Sequence, residues 1–104
     1  MELEDIKAAA TRIADYVHCT PLLSSSSVAS MIGCKNLYVK PEALQKTGSF
    51  KIRGATNAIA VEKPNHVITH SSGNHGQAVA LAAKQMGIKA TIVMVIVTTY
   101  FKTP

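Results

Sequence analysis

The 104-residue sequence predicts an α/β fold built on a parallel sheet. Three observations carry that expectation. Stretches with apolar residues at helix spacing alternate with short runs rich in β-branched residues. The two most informative loops each lead from a strand into a helix. The elements run α, α, β, α, β, α, β, the order produced by parallel strands with helical crossovers.

Taken in order, Leu3, Ile6, Ala10, Ile13 and Val17 recur at three- and four-residue steps, with charges on the opposite face. Thr20-Pro21 ends that helix. The serines from Ser24 to Ser27 supply an N-cap for a short helix, Val28 to Ile32, which Gly33 closes. Asn36 to Lys40 (NLYVK) reads as a strand stopped by Pro41. A polar loop, Glu42 to Ser49, precedes a second amphipathic helix marked by Ile52, Ala55, Thr56, Ile59 and Ala60, with Ser49 as its N-cap. Lys63-Pro64-Asn65 is a turn, and His66 to Thr69 a buried-type strand. Ser71 to Asn74 turn into a helix whose apolar face is Val79, Ala82, Ala83 and Met86, closed by Gly87. Ile88 to about Val97 is strand-like.

Composition narrows the function classes. With 47% hydrophobic and 16% charged residues, the chain is not generally disordered. Two cysteines exclude a disulfide scaffold. The opening MELEDIKAAA has neither the basic start of a secretory signal nor an Arg/Ser-rich transit pattern, so a cytoplasmic, reduced protein is expected. Cys19 and Cys34 are then small buried hydrophobes, and without a Cys-x-x-Cys pair no metal site is expected. The net charge of +5 gathers partly at Lys40, Lys46, Lys51 and Arg53, opposed only by Glu42. Phe50 is the one aromatic residue among them, so a small phosphorylated ligand fits better than nucleic acid. Ala90 to Phe101 carries no charge, resembles an aggregation-prone strand unless covered, and is too short to span a membrane, which takes about twenty apolar residues.

In open α/β sheets, ligands sit beyond the carboxyl ends of the strands, where both informative loops lie. In the first, LQKTGSFKIRGA, Lys51 falls in the first helical turn. The positive helix end and the neighbouring Lys46 and Arg53 disfavour a charged amine, a condition a Schiff-base lysine needs. Spacing alone equally fits one exposed lysine among nine. In the second, HSSGNHGQ, small and hydroxyl residues at a helix N-terminus expose backbone N–H groups suited to a carboxylate or phosphate. Ordinary capping by Ser71, Ser72 or Asn74 fits as well, and His75 reads either as a base or as a structural histidine. Neither loop is a Walker A, a G-x-G-x-x-G or a G-x-S-x-G sequence.

Together, Leu44 to Ala55 and His70 to Gln77 resemble the fold-type II pyridoxal-phosphate enzymes, and among them the serine racemase and serine/threonine dehydratase family. LEDIKAAATRIADYVHCTPLL and LAAKQMGIKATIVM match its N-terminal pattern, so the resemblance covers residues 3 to 94. It implies an incomplete parallel three-layer α/β sandwich. Residues 1–62 would be the N-terminal part of the large domain, and 66–104 the start of the small domain, atypical from about 95.

The resemblance also implies roles. Lys51 would hold pyridoxal 5'-phosphate, Phe50 would lie against its ring, and Asn74 would bond its 3′-oxygen. Ser71, Ser72, Gly73, Asn74 and His75 would take the substrate carboxylate. Lys51 and Ser72 would be the catalytic pair on opposite faces of the substrate, since dedicated threonine dehydratases usually have alanine at the Ser72 position. Ser26, Ser27, Lys46 and Thr47 match nucleotide-binding positions of activated racemases. The implied reaction interconverts L- and D-serine, or eliminates water from serine or threonine to give a 2-oxo acid and ammonia. The substrates would be small amino acids, and a family-type homodimer would be the assembly. The chain departs from the family by a short link between Ala60 and His66. It departs again after Met94, where relatives continue with proline and a remainder carrying the phosphate-binding glycine loop and the metal ligands. The alternative expectation is a truncated, non-catalytic product that acts only by association.

Overall fold

A computed structural model describes residues 1–95. The end of the expected last strand, and the uncharged stretch beyond residue 95, lie outside the described residues.

The first helix, α1, spans Leu3–Ile13 and opens with Glu4 and Asp5 in its first turn, where the helix dipole favours negative charge. The apolar period predicts helix as far as Val17. Instead the chain tightens to three-residue bonds, with Ala14 N donating to Thr11 O at 3.4 Å and Tyr16 N to Ile13 O at 2.9 Å. Val17 still packs against the core. The period therefore records which side chains face inward, and it outlasts the α-helix itself.

Two short strands follow, β1 (Leu23–Ser24) and β2 (Tyr38–Val39), paired antiparallel with Leu23 opposite Val39. The expected strand Asn36 to Lys40 shrinks to two residues, and its partner β1 is absent from the sequence reading. Two residues are too few to show a period. Between them lies α2, Ser26–Ile32, which begins two residues before the expected Val28. The Ser25 hydroxyl accepts from Val28 N at 3.3 Å, and Gly33 closes the helix at φ +74°, a left-handed conformation that favours glycine. Two single 3₁₀ turns, Glu42–Leu44 and Lys46–Gly48, fill the expected polar loop.

The rest is one βαβ unit preceded by a helix. Helix α3 spans Lys51–Glu62, β3 His66–His70, α4 Asn74–Gln85 and β4 Lys89–Val93. Strands β3 and β4 are parallel, with His66 opposite Lys89 and His70 opposite Val93. The described residues thus hold two two-stranded sheets, one antiparallel and one parallel, rather than one parallel sheet. The expected cap Ser49 is extended, and its hydroxyl accepts from Lys51 N at 3.4 Å; the α3 boundary falls one residue later, after Phe50.

The core joins Ile52, Ala55 and Ile59 of α3 to Ala78, Val79, Ala82 and Ala83 of α4, with Val67 and Ile92 of the parallel sheet against it. Ile52, Ala78, Ala82 and Ala83 are wholly buried. The alanines let the two helix backbones approach closely, so small residues rather than large ones set this packing. Cys19 and Cys34, expected inside, are both exposed. The main buried cluster is built from α3, α4 and the parallel sheet, and neither cysteine reaches it. Cys19 lines a groove between α1 and α3, while Cys34 follows the Gly33 cap with its Sγ 3.4 Å from Asn36 O. Among the described residues no helix is long and apolar enough to cross a membrane, and no group of three or more His, Cys, Asp or Glu side chains converges on a metal position.

Candidate active site

Lys51 is the first residue of α3, and its approach is strained. Thr47 sits at φ +61° and Gly48 at φ +72°, two consecutive left-handed residues. For glycine this is ordinary; for a β-branched residue it costs on the order of 1–2 kcal/mol. The reversal brings the chain round so that α3 starts beside the carboxyl end of β3.

There the structure forms a cavity of about 430 Å³. Phe50 lines it from just before α3, Lys51 and Ala55 from α3, Ile68 and Thr69 from β3, and His75 and Val79 from α4. Lys51 is exposed at this cavity, with its Nζ 5.2 Å from the centre of the Phe50 ring. Of the sequence-predicted residues, the structure brings Phe50, Lys51 and His75 around one space. Ser71, Ser72, Gly73 and Asn74 stand on the loop beyond β3 and are not part of its wall.

That loop is tied to β4. Ser71 N donates to Val93 O at 3.0 Å, extending the parallel ladder past His70. Val95 N donates to Ser72 Oγ at 3.0 Å, which fixes the oxygen and leaves the hydroxyl proton free to be donated elsewhere. Gly73 N donates to Ser71 Oγ at 3.3 Å. Helix α4 then starts at Asn74 with Gly73 as its cap and no side-chain capping bond. Ordinary capping of the helix by Ser71, Ser72 or Asn74 is therefore not what these residues do. The first N–H groups of a helix have no intrahelical acceptor, and with no side chain capping α4 they are open to an anion that the helix dipole also favours.

Gly76 explains how the helix start fits so close to the loop. A Cβ there would come within 2.8 Å of the Ser71 carbonyl oxygen and 3.1 Å of Ile92 Cγ2. Gly76→Ala is expected to push the helix start away from the 71–73 loop and to cost about 1–2 kcal/mol. Thermal denaturation checks this: an unchanged melting temperature would mean the helix start is not held by that contact.

The basic cluster is partly spent inside the fold. Arg53 donates from Nε to Glu42 Oε2 and from Nη2 to Glu42 Oε1, each at 2.8 Å, and Lys40 Nζ donates to Thr20 O at 3.0 Å. Arg53 holds the Glu42 carboxyl well below its usual range, at about 2, and Thr20 adds a further hydrogen bond. Arg53 is therefore committed to Glu42 rather than to Lys51 or a phosphate. Lys46 and Thr47 lie in the second 3₁₀ turn, whereas Ser26 lines a separate cavity of about 200 Å³ with Ser25, Lys35 and Tyr38. Ser26 and Ser27 are thus on α2, and the four nucleotide candidates do not share one cavity wall.

Sequence reasoning missed the role of Gln45, which is 4% exposed, and the binding of the Glu42 carboxylate by Arg53 and Thr20. Both act through contacts with His18 and Thr20, more than twenty residues away, and no local pattern signals such contacts.

The chain is similar to known proteins over most of its length. A family model described as pyridoxal-phosphate dependent enzyme matches residues 13–101. The serine racemase of Oryza sativa subsp. indica is 53% identical over 97 residues, covering 89% of this chain and 28% of that relative. The solved serine racemase of Dictyostelium discoideum superposes with a TM-score of 0.82 at 50% identity, over 90% of this chain and 32% of that one. The solved maize serine racemase superposes with a TM-score of 0.77 at 52% identity, over 89% of this chain and 30% of the other. The chain thus spans about a third or less of the length of these proteins.

Proposed function

Because the chain belongs to the pyridoxal-phosphate dependent enzyme family, we propose that it provides the Schiff-base lysine and the substrate-carboxylate loop of a serine racemase or serine/threonine dehydratase-type site. The observation that carries this reading is Lys51 at the rim of the cavity shared by α3, β3 and α4. The fold-type II α/β architecture agrees with it.

The residues present fit the cofactor. The cavity offers an aromatic ring in Phe50, an amine in Lys51 and apolar walls in Ala55, Ile68 and Val79. Lys51 would hold the group, Phe50 would flank its ring, and the Asn74 amide would donate to its 3′-oxygen. When bound, pyridoxal phosphate supplies an electron sink for charge developing at the substrate α-carbon. The protein's own part is positioning and proton transfer. The uncapped N–H groups at the start of α4, with Ser71, Ser72, Gly73 and His75, would receive the substrate carboxylate. The Lys51 amine would take the α-proton on one face. The Ser72 hydroxyl, its oxygen held by Val95 N, would exchange a proton on the other. The substrates are small amino acids, serine and threonine. The division at 62–66 into parts of a large and a small domain accompanies this reading.

Ser72→Ala tests the two-face assignment. With pyridoxal phosphate and L-serine, the variant should lose racemisation by about a hundredfold or more, in the range of an acid/base group, and lose much less of its 2-oxo acid production. Equal losses would remove Ser72 from the proton transfer.

A second reading is that the chain is non-catalytic and associates with a longer relative. Exposed apolar residues favour it: Ile6 is 55%, Ile68 69% and Val93 49% exposed. Cofactor attachment at Lys51 without any turnover of serine or threonine would support this reading over the first.

A further inference from the structure

We infer that Gln45 and the Glu42–Arg53 pair are positioning residues for Lys51, fastening the chain on both sides of it to the stretch His18–Thr20. The inference rests on the cofactor-binding reading of Lys51, and it adds residues which that reading does not use.

The first anchor is six residues before Lys51. The Gln45 side chain behaves like a neighbouring strand toward His18: His18 N donates to Oε1 at 2.8 Å, and Nε2 donates to His18 O at 2.8 Å. The same Oε1 accepts from Lys46 N at 2.9 Å, and the Gln45 carbonyl accepts from Gly48 N at 2.8 Å. One buried amide thus grips both His18 and the turn that contains the left-handed Thr47. A strained β-branched residue persists only where its surroundings hold it, and Gln45 supplies that hold.

The second anchor is two residues after Lys51. The Arg53 fork grips both oxygens of Glu42, and its Nη2 also reaches Thr20 Oγ1 at 3.1 Å. The Thr20 hydroxyl donates to Glu42. A planar guanidinium matched to a carboxylate fixes direction as well as distance. Lys51 itself is exposed, and its own side chain supplies no such restraint. Its place at the cavity is set by anchors at 45 and 53 that converge on one distant segment. Loosening either frees the start of α3 to shift, and shifts of about 1 Å at a reacting group are costly.

The experiment uses the full chain and two readouts. Amide exchange at Lys46 and Gly48 is followed without cofactor. Attachment of pyridoxal phosphate is followed by borohydride reduction and mass mapping of the labelled lysine. Gln45→Met is expected to speed Lys46 exchange and to reduce labelling at Lys51, each about tenfold, with helix content retained. Gln45→Glu keeps the acceptor for His18 N and Lys46 N and should recover part of both losses. Faster exchange with undiminished labelling of Lys51 would overturn the inference, as would unchanged exchange. Should Gln45→Met fail to fold, Thr20→Val, which removes the hydroxyl's contacts to both Glu42 and Arg53, tests the second anchor instead, read as amide exchange at Arg53 and labelling at Lys51, each changed about threefold. In the unsubstituted chain, labelling spread evenly over the exposed lysines would defeat the cofactor reading instead. Exchange at Lys46 would then still report separately whether Gln45 holds the turn.

Discussion

Lys51→Ala is expected to abolish the absorbance near the visible edge that pyridoxal phosphate gives when linked to the protein, and to leave the fold intact. Lys51 is exposed. Its side chain adds nothing to the core, whose α3 contribution comes from Ile52, Ala55 and Ile59. Alanine is also the best helix former at that position. The melting temperature should therefore change little while the spectral signal disappears. Alternative lysines give the control. Lys46 is the nearest in sequence, yet it lies in the 3₁₀ turn and is not part of the cavity wall. Lys46→Ala should keep most of the signal. If Lys51→Ala retained the band and Lys46→Ala lost it, the assignment of the cavity would fail. A band missing from the folded, unsubstituted protein would show that the chain does not bind the cofactor by itself.

The helical part of this site was legible in the sequence because a helix writes its packing face into spacing. Ile52, Ala55, Thr56 and Ile59 are the buried positions of α3, and Val79, Ala82 and Ala83 are among those of α4, as their three- and four-residue steps require. The loops were legible through composition. Glycine and serine runs after strands mark turns into helices, and α4 starts at Asn74 directly after such a run, with Gly73 in the cap position. What the sequence could not express were contacts between distant segments. The β1–β2 pairing joins two-residue strands. Gln45 reads locally as one more polar loop residue, although it is nearly the most buried polar side chain among the described residues. The cysteines failed for a related reason: an apolar side chain is buried only where a partner surface exists. The main buried cluster is made by α3, α4 and the parallel sheet, and neither cysteine lies beside it. The basic cluster was misread in the same way. Counting charges set Arg53 beside Lys51, whereas the fold turns it onto Glu42.

The Glu42–Arg53 pair should give the chain an acid-sensitive part of its stability, and Glu42→Gln should remove it. The Glu42 carboxyl is lowered from 4.5 to about 2, first by its hydrogen bonds from Arg53, with burial opposing and Thr20 assisting. A carboxyl depressed in the folded state binds its proton more readily when unfolded. Its contribution is fully present above the unfolded value, and it is lost as pH falls toward the folded one. The window therefore runs from about pH 5 down to about pH 2. Each tenfold change in proton affinity corresponds to about 1.4 kcal/mol, and with side chains 18% and 30% exposed for Glu42 and Arg53 solvent reduces the total to about 2–3 kcal/mol. Arg53 stays charged throughout, so the titration belongs to Glu42 alone. Denaturant unfolding of the two proteins at several pH values decides the matter. At pH 6 Glu42→Gln should be less stable by about that amount. The difference should shrink steadily below pH 5 and become small near pH 2, where the native carboxyl is itself about half protonated. A difference that stayed constant across the window would mean that glutamine fails for reasons of shape, and that the charge pair contributes nothing that acid can remove. A shrinking difference would instead identify the fork as an electrostatic fastening of the helix that begins with Lys51.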